Sequence, residues 1–134
     1  MPWVARMGSA ILVPSGGVQH LHIVCSEPMN FEGRPPNSCL LLNVSSVVPK
    51  CDATVILKAG DHPFIKHDSF VYFRYASIEP AQALENNVAC NVYTAQPPAQ
   101  PWLVKKIVAS INASPFTTGE IQKIGDIVWK TTSW

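Results

Sequence analysis

A mostly β domain closed by C-terminal helix is the fold class this sequence predicts, and three observations predict it. Alternating, β-branched or aromatic runs fill most of the first 80 positions, the pattern of antiparallel strands. Apolar spacing of three and four begins only at Trp102, the mark of an amphipathic helix. Between these stretches lie turns rich in the chain's 12 Pro and 7 Gly. A chain of 134 residues buries roughly two-thirds of its extended surface, enough for its own core. Residues 1–134 therefore read as one domain, small and mostly antiparallel β over about 8–90, with a helical extension over about 97–125.

The elements follow in order. Ser9 to Val13 is a short apolar strand closed by the turn Pro14-Ser15-Gly16-Gly17. His20 to Ser26 alternates, with Leu21, Ile23 and Cys25 on one face and His20, His22, Val24 and Ser26 on the other. Three prolines make Glu27 to Ser38 a loop. Cys39 to Val48 is the strongest strand and Ala53 to Lys58 another, ended by Gly60-Asp61. Asp68 to Ile78 is a long β-branched and aromatic run with only Arg74 charged inside it. Pro80 opens a short helix over Ala81 to Asn86, where its missing N–H costs nothing. Pro97, Pro98 and Pro101 stiffen the connection to a helix over Trp102 to Ala113. Thr117-x-x-Glu120 reads as a capping box for a second helix, Gly125 as its stop and Asp126 to Lys130 as a last strand.

Charged residues make up 14% of the chain against about 25% in an average protein, and the net charge is +1. A polybasic arm, an acidic tail and charge-driven disorder are excluded. No apolar run approaches the ~20 residues of a membrane span, and Ala10-Ile11-Leu12-Val13 is too short for a signal-peptide core. No membrane association is expected, and Met7 is a second potential start. Cys25, Cys39, Cys51 and Cys90 form no C-x-x-C pair and predict a reduced, cytoplasmic protein.

Two stretches gather the polar chemistry. If Leu21, Ile23 and Cys25 face the core, His20 and His22 project from the opposite face. The matching set Leu40, Leu42 and Val44 puts Asn43 and Ser45 there too. The other stretch runs from Gly60 to Ser69 and holds Asp61, His62, Lys66, His67 and Asp68. Histidine moves protons near neutral pH and lysine is a fixed cation, the combination that metal-free phosphodiester cleavage requires. The plain structural alternatives are a polar outer sheet surface and a turn held by its own aspartates. His20-x-His22 followed by Glu27 is also similar to the first metal motif of cupins, but the cupin glycines are missing. No metal and no other cofactor are expected, and no phosphate-binding glycine loop or metalloprotease motif is present.

The strand His20-Leu21-His22-Ile23-Val24 is followed by a long loop and by Leu41-Leu42-Asn43-Val44-Ser45-Ser46. Then come Pro63-Phe64-Ile65-Lys66-His67-Asp68-Ser69-Phe70-Val71 and the turn Ile78-Glu79-Pro80-Ala81-Gln82. In this order residues 8 to 90 resemble the PemK/MazF group of toxin–antitoxin ribonucleases, small β-barrels with a terminal helix. The chain departs from that family in carrying His20 where the family has an arginine, and in its extra helix.

The resemblance implies a metal-independent endoribonuclease acting on single-stranded RNA and restrained by a protein antitoxin, with homodimerisation open. Ser45 takes the place of the family's catalytic hydroxyl. In the implied mechanism His20 or His62 takes the 2′-hydroxyl proton, Lys66 or Arg74 stabilises the phosphorane, and His67 protonates the leaving oxygen. Asn43 and His22 contact the substrate, and Tyr72 and Tyr75 stack on its bases. The rival class is a non-catalytic barrel that binds a protein partner through Trp3, Trp102, Trp129 and Trp134. A cupin-like metal enzyme is the third.

Overall fold

The computed structural model describes residues 2–134. Six strands form one antiparallel sheet that curls into a half-barrel: β1 (Ala10–Ser15), β2 (Val18–Val24), β3 (Ser38–Ser46), β4 (Ile56–Leu57), β5 (Ser69–Pro80) and β6 (Thr94–Gln96). Their order across the sheet is β4-β5-β3-β2-β1-β6. Helix α1 (Ala81–Ala89) follows β5, while α2 (Pro101–Ser110), a 3-10 turn (Ile111–Ala113) and α3 (Gly119–Thr131) close the chain.

The turn between β1 and β2 is tighter than expected. β1 runs on through Pro14, and only Gly16 (φ 59°) and Gly17 (φ 78°) form the two-residue loop. Both need the left-handed region that lets a hairpin follow the natural twist of its strands. Pro14 lies beyond the end of β6, on a free flank where its missing N–H is harmless.

Alternation sets the inner face as predicted. Leu21, Ile23, Leu40, Leu42, Val71 and Phe73 are buried against Leu103, Val104 and Ile107 of α2 and Ile121, Ile124 and Val128 of α3. The β3–β5 pairing carries one large irregularity: Leu41 faces Ser77 and Asn43 faces Tyr72, so a single β3 residue stands opposite residues 73–76. An expansion of this kind bends its strand and adds twist. Arg74 and Tyr75 lie in it and are exposed.

Four expectations are corrected. Asp126 to Lys130 is not a strand but the second half of α3, and Gly125 is not its stop. Gly125 is buried where α3 crosses the 3-10 turn; a Cβ there would sit 2.9 Å from Ile111 Cδ1. The Ala53–Lys58 strand shrinks to the two residues of β4. Thr118, not Thr117, caps α3 by accepting from Ile121 N; Thr117 donates to Ile111 O at 2.7 Å, and Glu120 pairs with Arg34. Strand β6 was not foreseen, because Thr94-Ala95-Gln96 carries no β-specific pattern and pairs only because β1 offers an open edge.

The outer face is not uniformly polar. At one end Ile11, Val24, Cys39 and Leu41 form a second apolar cluster with Ala5 under Ala81 and Leu84 of α1. Among the described residues no helix is long and apolar enough to cross a membrane.

Candidate functional site

The opposite end of the outer face is open. Pairing between β2 and β3 stops at Leu21–Val44, although β2 begins three residues earlier and β3 continues for two more. A groove of about 350 Å³ occupies the splayed end. Val18 to Leu21 line one side, Val44, Ser45 and Ser46 the other, and the loop Phe64 to His67 closes it. Within it Ser46 Oγ and His67 Nε2 are hydrogen bonded at 2.7 Å. His20, Ser45 and Lys66 share the groove.

Ser46 is the residue that sequence reasoning passed over. Alternation puts Ser45 beside the histidines, and Ser45 does face the groove, where its hydroxyl donates to Asn43 Oδ1 at 3.4 Å. Its neighbour Ser46, on the last residue of the strand, is the one that meets His67. The two are 21 positions apart, so only the pairing of β3 with Ser69 of β5 brings them together.

Two of the foreseen catalytic residues stand elsewhere. His62 is 1% exposed. Its Nε2–H donates to Pro97 O at 2.7 Å, and its Nδ1 accepts from Phe64 N at 3.0 Å. Both ring nitrogens are occupied, which fixes the tautomer and makes His62 a clamp between the 61–65 loop and the proline connection. Arg74 points away from the groove into a second hollow of about 190 Å³, beside Lys50, Asp52 and Phe116.

The two hollows share one wall. Phe70 and Tyr72 line both, and Phe70, Tyr72 and Tyr75 form a ladder of tilted rings with centroids 4.8 and 4.5 Å apart. Tyr75 is 58% exposed at its outer end. Among the described residues the ion pairs are Arg34–Glu120 and Lys58–Asp68. Lys66, Lys50 and Arg74, spread along the two hollows, therefore have no carboxylate partner.

His22 sits between the open and covered ends, opposite Ile11 and Asn43, with Nδ1 3.3 Å from His20 O. Burial pushes its imidazole below the ordinary value, outweighing the raising effect of that carbonyl. The cupin-like set is not assembled: Glu27 is engaged with Met7 N at 3.1 Å. Among the described residues no three His, Cys, Asp or Glu side chains are grouped closely enough to hold a metal ion. All four cysteines are free. Burial pushes the Cys25 thiol up, and burial with help from Glu27 and Glu85 pushes Cys39 up to about 12, so both act as small apolar groups. No family model matches the chain, and no curated protein matches it either.

Proposed function

We propose that the splayed end of the sheet binds single-stranded RNA and cleaves it without a metal, as a PemK/MazF-like ribonuclease would. The observation that carries this reading is the Ser46–His67 hydrogen bond in a groove that also holds His20 and Lys66. Two imidazoles, a hydroxyl and an unpaired cation are the groups that phosphodiester transesterification uses. Half-buried Tyr72 and exposed Tyr75 of the adjoining ladder support a single-stranded substrate, because unpaired bases present faces on which aromatic rings stack.

In this reading His20 takes the proton of a ribose 2′-hydroxyl, and the 2′-oxygen attacks the adjacent phosphorus. The bond from phosphorus to the 5′-oxygen breaks, and the protonated ring of His67 gives its proton to that leaving oxygen. Lys66 balances the charge gathering on the phosphate oxygens, while Ser46 holds the His67 ring and Ser45 with Asn43 orients the phosphate. The products are a 2′,3′-cyclic phosphate and a free 5′-hydroxyl. The restraining partner would be a protein antitoxin, the compartment the cytoplasm, and a second copy of the chain a further partner.

Labelled single-stranded RNA incubated with the protein in excess chelator tests this. The expected products carry those two termini, and His20→Ala or His67→Ala slows their formation by about 10²–10⁴-fold. Wild-type rates in both variants would sink the mechanism. The rival reading, a non-catalytic interaction module, draws on the apolar hollow of about 430 Å³ that Met7, Trp102 and Trp134 line near the C-terminal helices. It predicts no cleavage by the wild type at all.

A further inference from the structure

The second hollow brings two cations, Lys50 and Arg74, beside aromatic rings, and the cleavage chemistry does not use it. Lys50 and Arg74 stand on its rim without ion-pair partners. The one carboxylate in its wall, Asp52, is already satisfied from within. Its Oδ1 accepts from Thr54 N and Thr54 Oγ1 at 3.0 and 2.6 Å, and its Oδ2 accepts from Ser114 Oγ at 2.6 Å. Asp52 is 5% exposed and ties the 51–54 loop to the helical layer; it keeps its charge but turns its oxygens to these neutral donors and forms no ion pair with either cation. Phe116, 45% exposed, and Tyr72 supply aromatic surface beside them. A pair of free cations next to exposed rings suits a nucleotide, with phosphate on the cations and base on a ring.

We infer that this hollow is a nucleotide subsite lying across the Phe70–Tyr72 wall from the cleavage groove, so that the substrate is an oligonucleotide long enough to occupy both. This rests on the reading of the groove as a ribonuclease centre. It assigns Lys50 and Arg74 to binding, and it means that a dinucleotide reaches the chemistry but not the second hollow.

The test measures binding separately from cleavage. The probe is a fluorescein-labelled 2′-deoxy decamer, which has no 2′-hydroxyl to attack its own phosphates. For the Lys50→Gln/Arg74→Gln double variant the Kd of this probe should rise roughly tenfold. The slope of log Kd against log salt should flatten by about 1.4, or about 0.7 for each phosphate left without its cation. Cleavage of a ribodinucleotide should proceed at the wild-type rate, while a ribodecamer shows a raised KM and an unchanged kcat. An unchanged Kd and slope in the double variant would overturn the subsite, as would a wild type that does not bind the decamer. Failure of the ribonuclease reading is scored apart, by absence of wild-type cleavage. Binding that still depends on Lys50 and Arg74 in that case supports the subsite as a single-strand binding site alone. Circular dichroism of the double variant checks that it is folded.

Discussion

The outer face of the sheet is two surfaces laid end to end on the same strands. Along β2 the side chains pass from Val24 through His22 to His20, and along β3 from Cys39 and Leu41 through Asn43 to Ser45. At the first end α1 covers them and they pack with Leu84; at the second no element lies over them and a groove opens. The polarity of each strand changes where its cover runs out. Apolar residues occupy the roofed positions because leaving them wet costs about 25 cal/mol per Å². Polar residues hold the unroofed positions His20, Asn43 and Ser45, where they are free to meet a ligand, and exposed Val18 at the end of β2 is the exception. The candidate site is thus the part of the sheet that the fold leaves without a partner layer.

The largest effect should come from removing the roof. Leu84→Ala deletes the α1 side chain buried deepest over the covered end, and should cost about 2–5 kcal/mol in urea unfolding while the groove residues keep their places. A stability within error of the wild type would break the contrast, since the cover would then contribute nothing.

A smaller effect belongs to the boundary. Burial holds the His22 imidazole below its ordinary value of 6.5, so as pH falls the unfolded chain takes up this proton before the folded one does. The contribution is fully present above about pH 6.5 and is lost as pH falls through the folded value. His22→Gln should flatten that acid arm in thermal melts taken between about pH 7.5 and 5. A profile with the same slope in the variant would move the titration to another group.

The smallest is expected at the open end. His20→Gln should change stability by no more than about 0.5 kcal/mol, because the residue borders the open groove and lies outside both apolar clusters, even as it removes the proposed base. A loss of several kcal/mol in the same urea experiment would mean that His20 serves the core and would erase the difference between the two ends.

Histidine shows how far the chain could be read from residues alone. His62 and His67 stand five positions apart in one polar loop, and nothing local distinguishes them. In the fold Pro97 and Phe64 consume both nitrogens of His62, whereas His67 reaches Ser46 at the groove. Asp52 and Ser114, 62 positions apart, gave no signal either, because a buried bond between distant loops leaves no periodicity in the sequence. Gly125 was misleading for a related reason. A glycine soon after a helix start resembles a stop signal, but this one stands at the middle of α3 and is small so that Ile111 can approach.

The inner core was legible from the start. Alternation along β2, β3 and β5 is a property of neighbouring residues, and a period of two has only one way to bury Leu21, Ile23, Leu40 and Leu42 together. The amphipathic spacing from Leu103 to Ile111 likewise specified a helix and the face it buries. Tertiary structure alone decided where α1 would lie on the outer face and where β2 and β3 would part. It also decided which of the polar residues would meet. Those outcomes depend on contacts between segments tens of residues apart, and such contacts are settled by packing rather than by the order of side chains along any one strand.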